Sequence, residues 1–337
     1  MFHKGLWYQN YKQTKMVVWM LLVLFMIHLP FQAIMTLESW RTRQTQLRLQ
    51  FPIQPFEFYI YEIYNLFFQG MFAFIVMFVI IFLACLLIGV ERNTRRMDFS
   101  FSLPFARKDI FLAKWLYGAC IITVFHSVNF FVAYFIFMQS EFGSELANFT
   151  LLELFVGPLL GFLFIFSFAL LIGTFTGEMI SQIALTFIFG IFPLGLYFLV
   201  AALIDVHGGH YPSQPDWVEN ITIFYHVFSH INTSFVDLLY PIIGIILFAG
   251  IGVVLYELNK VEHNGEFLIF KGLHPLFLVG ITLCFSLLGG IIVSSLAPYD
   301  ATTLRIITYW IGFAIFLFFS YLITKRLLQM NLMVKNK

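Results

Sequence analysis

The chain has 337 residues, 60% hydrophobic and only 11% charged, with 45 Phe and a formal net charge of +1. Soluble globular domains carry about a quarter charged residues, so a mean hydropathy of +0.88 excludes a soluble enzyme and gives no basis for nucleic-acid binding. Lipid must solvate most of this protein.

Eight apolar runs follow one another: Met16–Leu37, Leu66–Val90, Trp115–Met138, Leu154–Phe175, Ile183–Ile204, Leu238–Tyr256, Leu276–Ala297 and Ile306–Thr324. A run of 22 residues rises about 33 Å as a helix, enough to cross the hydrocarbon core. The predicted fold is an all-α polytopic membrane protein with about eight transmembrane helices. The first run follows Lys4, Lys12 and Lys15 without a small-residue cleavage site, and is expected to be retained as a span. With the N-terminus inside, fifteen basic residues fall on the inner segments, against Arg41, Arg43, Arg48 and Arg305 outside. That bias puts both termini in the cytoplasm of a cell-membrane protein; the three Arg of the first outer loop run against it. Aromatics Phe56, Phe58, Tyr59, Tyr61, Tyr64, Phe67 and Phe68 before the second span fit an interfacial belt.

The spans, so bounded, hold no Asp, Glu, Lys or Arg, and only His28 and His126 titrate at membrane depth. Gradient-driven pumps usually place ionisable groups there. No GxxxxGK[ST] phosphate loop occurs, and the inner segments 91–114, 176–182 and 258–275 are too short for a soluble catalytic domain. Uphill transport would therefore draw its energy from another polypeptide, and no catalytic residue or bound cofactor is expected on this one. Cys85, Cys120 and Cys284 lie inside apolar runs and read as packing residues.

The segment from Glu91 to Trp115 holds six of the chain's 19 Lys and Arg residues: Arg92, Arg95, Arg96, Arg107, Lys108 and Lys114. Glu91–Leu103 can form a short helix with Arg92, Arg95 and Arg96 near one face and Phe99, Phe101 and Leu103 as apolar surface. Pro104 turns the chain, and helix resumes from Arg107 into the third span. Such a hinge can set aromatic side chains into a partner's groove while its cations steer the encounter; the plainer alternative is a basic loop anchored on lipid headgroups.

Glu91, the run to Asp98, then Ser102-Leu103-Pro104 with Arg107, Ile110 and Lys114 resembles the coupling-helix segment of ABC-2-type ABC transporter permeases, and the layout is similar to the Ytr-type permease subunits of Gram-positive bacteria. The resemblance implies a permease core over residues 1–258 with two additional spans in 259–337. It further implies a separate ATPase subunit, carrying the ATP, docked on 91–114, a second permease as homo- or heterodimer, and possible accessory subunits. It also implies an N-terminal interfacial helix and an external re-entrant element before the sixth span. Here Phe2, Leu6, Trp7, Tyr8 and Tyr11 form no clean stripe and read as running on into the first span, while 205–237 looks more polar than helical.

Other features invite rival readings. The outer loop holds His207, His210, His226 and His230, which read as solvated histidines, with a zinc or copper site of a membrane enzyme or metal sensor as the alternative. His126 and Asn129 share a face of the third span, as polar glue or as the pathway of a self-sufficient facilitator. Gly157/Gly161 and Gly173/Gly177 form two small-residue patches expected to face different neighbours. Pro193 and Pro241 are candidate kinks.

Overall fold

A computed structural model describes residues 3–51, 58–94, 96–228, 234–259, 262 and 265–329, with the side chains of Arg96, Asp98 and Phe99 outside that set. Eight of its helices are long and apolar enough to cross a membrane. They run further than the apolar runs alone, because a helix goes on past the hydrocarbon wherever its polar residues can face water or a partner.

The first span shows this most clearly. α1 (Lys4–Met26) passes through a π-helical turn (Ile27–Phe31) into α2 (Gln32–Gln50). The N-terminal segment is thus part of the first span and not a separate interfacial helix. Pro30 accounts for the π turn: it has no N–H to give and its ring crowds the carbonyl four residues back, so one extra residue is taken into the turn. A short helix α3 (Ile60–Phe67) breaks before Gly70, whose φ of +89° only glycine adopts cheaply, and α4 (Gly70–Asn93) follows. α5 (Arg96–Ser102) and α6 (Arg107–Met138) come next. The fourth span opens on a second π turn (Leu152–Val156) and continues as α7 (Gly157–Phe175). Thr150 and Glu153 cap it reciprocally: the Thr150 N–H reaches Glu153 Oε2 at 3.0 Å and the Glu153 N–H reaches Thr150 Oγ at 3.3 Å.

α8 (Met179–Gly208) ends on Gly209 in the left-handed region, whose N–H bonds the Asp205 carbonyl at 2.9 Å. The polar-looking outer loop then forms two short helices, α9 (Asp216–Ile221) and α10 (Tyr225–Phe228), before α11 (Phe235–Glu257). α12 (His274–Ser294) and α13 (Thr302–Gln329) complete the chain. α8 and α11 are continuous through Pro193 and Pro241.

The packing forms two compact units. One comprises Met1–Leu87, Pro104–Leu171 and Ile223–Glu257, the other Ile88–Leu103, Ile172–Thr222 and Leu258–Lys337. In the first, α1 and α6 meet through the Thr14 and Tyr117 hydroxyls at 2.9 Å, with Trp7 edge-on to Tyr117. At the other end Trp40 stands edge-on to Phe137 and Phe142. Two of the three Arg that oppose the charge rule have carboxylate partners there. Arg43 makes a two-pronged bond to Glu62 at 3.0 and 2.9 Å, and Arg41 meets Glu141 at 3.1 Å.

The short helix α10, in the stretch where the resemblance implies a re-entrant element, belongs to this unit. The backbone of α10 lies on Gly161, where an added Cβ would stand 2.0 Å from the His226 carbonyl oxygen. Gly161 is nine residues into the fourth span, about 13 Å along it. Backbone that is not part of a spanning helix survives at that depth only when protein covers it; Val227 is fully buried and Gln69 donates to the Phe228 carbonyl at 3.1 Å. The two small-residue patches do face different neighbours, since Gly173 meets the Gln182 side chain in the second unit.

In that second unit the last two spans form a tight hairpin. A Cβ on Gly312 would lie 2.4 Å from the Gly289 carbonyl, and one on Gly290 2.7 Å from the Tyr309 ring. The hairpin is tied to α8 by Arg305 and Asp205 at 3.0 Å and by the Trp310 indole N–H donating to His207 Nε2 at 3.0 Å.

Candidate coupling hinge

The basic hinge is built from a helix end, a short helix and a helix start. α4 runs through Glu91 and Arg92 to Asn93, α5 covers Arg96–Ser102, and α6 starts at Arg107 after Pro104. The expected single helix over Glu91–Leu103 is therefore two, interrupted after Thr94, whose hydroxyl folds back onto the Val90 carbonyl at 2.7 Å. The part through Leu103 belongs to one unit and the part from Pro104 to the other. Arg95 and the side chains of Arg96, Asp98 and Phe99 lie outside the described residues.

Three of the four described cations turn inward. Arg92 is fully buried, and its Nη2 donates to the Thr174 carbonyl near the end of α7 at 3.1 Å. Lys114 is buried too, with Nζ 2.7 Å from the Leu87 carbonyl of α4. Arg107, half-buried, reaches the carbonyl of Glu257, the last residue of α11, at 3.1 Å. The last four carbonyls of a helix have no partner within it and carry the negative end of its dipole, so a cation is the natural cap. The expectation that Glu91, Arg92 and Lys114 present themselves to a partner is thereby corrected. Glu91 is buried beside Arg92; Arg92 and Arg107 cap the ends of the fourth and sixth spans, while Lys114 binds a carbonyl within the second.

What remains outward is a crest. Ser102, Pro104, Ala106 and Lys108 are exposed, and Phe101, Leu103, Phe105 and Arg107 half-exposed. Phe105 is steadied by the His3 ring 4.8 Å away. The crest thus alternates half-buried apolar anchors with exposed positions and carries one outward cation, Lys108.

Behind the first half of the hinge sits a buried polar cluster that sequence reading misses. The Asn259 amide joins Arg92 on the Thr174 carbonyl at 3.1 Å, and Asn93 Oδ1 accepts the Met179 N–H at 3.2 Å, capping α8. Gln182 threads between two glycines: a Cβ at Gly89 or Gly173 would come within 2.8 or 2.5 Å of its amide. The segment after α11 closes over the turn between spans four and five. Gly265 N–H donates to the Gly177 carbonyl at 2.8 Å, Ile269 N–H to that of Phe175 at 2.9 Å, and Thr176 and Leu268 pair as an antiparallel bridge. Phe267, Leu268 and Ile269 are buried. No periodicity links positions 176 and 268; only the buried apolar triplet inside an otherwise polar loop hinted at it.

Glu178, in the same turn, is buried. Burial pushes its carboxyl above the ordinary value of 4.5, with the Ser181 hydrogen bonds pulling the other way. The folded state therefore holds that proton more tightly than the unfolded chain. Its stabilising contribution is complete below 4.5 and is lost as pH rises through the higher folded value. Glu178→Gln is expected to melt higher than the native protein at pH 7 and no differently at pH 4, as followed by thermal denaturation across pH; parallel curves would remove the claim.

The remaining candidates disperse. His226 is buried with its ring 5.4 Å from Phe164, while His207 places Nδ1 at 2.8 Å from the Leu203 carbonyl and accepts the Trp310 N–H on Nε2, so both its nitrogens are engaged. His210 is exposed and His230 lies outside the described residues. Among the described residues no group of three or more His, Cys, Asp or Glu is placed to hold a metal ion. His126 and Asn129 are both buried, but the Asn129 amide is spent on the Phe125 carbonyl of its own helix at 2.7 Å.

Comparison with known proteins agrees with this layout. Residues 8–240 match the family described as ABC-2 family transporter protein. The chain is 28% identical over 199 residues to the probable ABC transporter permease YtrD of Bacillus subtilis (strain 168), covering 56% of this chain and 58% of that one. It is 25% identical over 291 residues to the probable ABC transporter permease YtrC of the same organism, covering 81% and 83%. The chain thus spans under two thirds of YtrD. No solved structure matches it. Eight membrane-length helices, a capped basic hinge between the second and third, and a family match over most of the chain lead to one assignment: this is a multi-pass membrane protein of the ABC-2 transporter family.

Proposed function

We propose that the chain is the membrane-spanning permease subunit of an ATP-driven transporter and leaves ATP hydrolysis to a separate ABC ATPase seated on the crest Phe101–Lys108. The observation that carries this reading is the split within the hinge. Three of its four described cations are consumed on helix carbonyls, yet an apolar-and-basic edge stays open over Phe101–Lys108. A basic loop that merely rests on headgroups has no need of buried anchors. Force on the crest passes along α5 into α4 and along α6, and through the caps to the inner ends of α7 and α11.

The rest of the assembly follows from the same reading. Both termini lie in the cytoplasm, residues 1–258 form the transport core with 259–337 as an added hairpin, and a second permease, identical or related, completes the pathway, with accessory subunits as further partners. The uncharged spans suit a neutral or amphipathic solute. The chain binds no cofactor, and the family relationship supports a transport subunit over an enzyme.

Co-purification tests it. The native protein extracted from its own membranes is expected to bring down an ATP-hydrolysing polypeptide. An Ala106→Glu, Lys108→Glu variant, altered only at exposed positions of the crest, is expected to insert and melt like the native chain and bring down about a hundredfold less. Equal recovery from the two would move the docking surface elsewhere.

A further inference from the structure

The last turn of α8 meets the first turns of α13. Asp205 and His207 stand on the one, Arg305, Tyr309 and Trp310 on the other. His207 is about 42 Å along α8 from Met179, at about 1.5 Å per residue, and Asn93 of the hinge caps that first end. The meeting point therefore lies on the membrane side away from the hinge. α13 packs on α12 and on α8, and is exposed at Ile307, Ile311 and Phe318. Two polar ties bind it to α8: Arg305 Nη2 to Asp205 Oδ2 at 3.0 Å, and the Trp310 indole N–H to His207 Nε2 at 3.0 Å.

The two partners of His207 fix where its hydrogen sits. A carbonyl only accepts and an indole N–H only donates. Nδ1, 2.8 Å from the Leu203 carbonyl, must carry the hydrogen, and Nε2 must present its lone pair to Trp310. A second proton can enter only at that lone pair. Protonation and the Trp310 bond therefore exclude each other, because an imidazolium would set two donors face to face. Imidazole is the side chain whose charge ordinarily changes between about pH 5 and 8, and His207 is exposed, so protons reach it.

The charged and titratable groups nearby are otherwise engaged or turned to water. Asp205 is committed to Arg305, whose guanidinium also lies over the Tyr299 ring at 4.6 Å. Tyr309 is buried, its ring edge-on to His207 at 5.6 Å. After α8, His210 sets Nδ1 3.3 Å from the Gly208 carbonyl and Tyr211 is exposed; on α9, Glu219 accepts the Gln214 amide at 2.6 Å. Asp216, on α9, and Asp300, before α13, stand exposed. The C-terminal end of α8 favours a positive charge in its last turn, while the Nδ1–H keeps the Leu203 carbonyl in either state, so the proton acts at the Trp310 bond. We propose that His207 is a proton-operated latch on the last hairpin. It is closed while the imidazole is neutral and Trp310 ties α13 to α8. It opens when the side away from the hinge acidifies, leaving Arg305 and Asp205 to hold that end. The bond's contribution is thus complete above the imidazole range and is lost as pH falls through it.

Nuclear magnetic resonance of the full chain in lipid nanodiscs, labelled with 15N-tryptophan, tests the latch. The six Trp give six indole resonances, and Trp310→Phe identifies the one that belongs to Trp310. Between pH 8 and pH 5 that resonance is expected to move upfield as its bond is lost. Chemical denaturation reads the same event: the native protein should exceed Trp310→Phe in folding equilibrium constant by about threefold more at pH 8 than at pH 5. His207→Gln replaces the imidazole with an amide that does not titrate, and is expected to hold the Trp310 resonance unmoved across the range, whichever position it takes. A Trp310 resonance that stays put in the native protein overturns the proposal. The same movement in His207→Gln overturns it too, and hands the response to His210 or Asp205.

Discussion

Arg92→Met is expected to destabilise the protein by about 3 kcal/mol and to abolish ATP-coupled transport even though Arg92 touches no solvent. The methionine preserves the apolar stem and removes the cation. The Thr174 carbonyl then loses its guanidinium donor beside the Asn259 amide, and the buried Glu91 loses the positive charge next to it in sequence. An exposed ion pair deleted in the same way would cost well under 1 kcal/mol, so the size of the effect separates a buried cap from a headgroup anchor. Chemical denaturation in mild detergent reads the stability. Arg92→Lys gives a second measure: it restores charge but not the planar fork, and should recover part of the loss. If Arg92→Met melts like the native protein, the guanidinium faces a partner and the buried cap is wrong.

Gly161→Ala is expected to cost about 3 kcal/mol or more, the most severe effect of any single methyl in the first unit. The new Cβ would stand 2.0 Å from the His226 carbonyl oxygen and 3.1 Å from the Val227 Cα. The obstacle is backbone, so no rotamer change relieves it. The short helix α10 must leave its seat, and its polar backbone would then meet lipid. Gly195→Ala, on α8 with open space around the added atom, is the matched control and should be neutral or slightly stabilising. Protease accessibility of the 222–228 segment from outside, compared between the two variants, reads the displacement directly. Equal resistance would mean that α10 is not anchored on the fourth span.

Much of the architecture is written in the apolar runs, because a membrane demands continuous hydrophobic length and a helix satisfies its own backbone. The ends are less legible. Arg41–Gln50 and Arg107–Lys114 are polar by composition, yet they continue helices because Glu62, Glu141 and the Glu257 and Leu87 carbonyls receive their cations. The position of the hinge could be read from its charge and from Pro104, but not the division of labour within it. Whether Arg92 faces a partner or a helix end depends on Thr174 arriving beside it from 82 residues away. The same holds for α10, whose polar-looking loop gives no sign that Gly161 leaves it a seat, and for His126, which spacing pairs with Asn129 and the fold sets among Phe25, Phe155 and Phe162.

Photo-crosslinking from the crest tests the central claim most directly. A benzoylphenylalanine placed at Ala106, exposed on the crest, and another at Thr45, exposed near the far end of the first span, are activated in intact membranes. The account predicts a covalent adduct with an ATP-binding polypeptide from Ala106 and none from Thr45. An Ala106 probe that captures only lipid, in membranes where the ATPase is present, would contradict it.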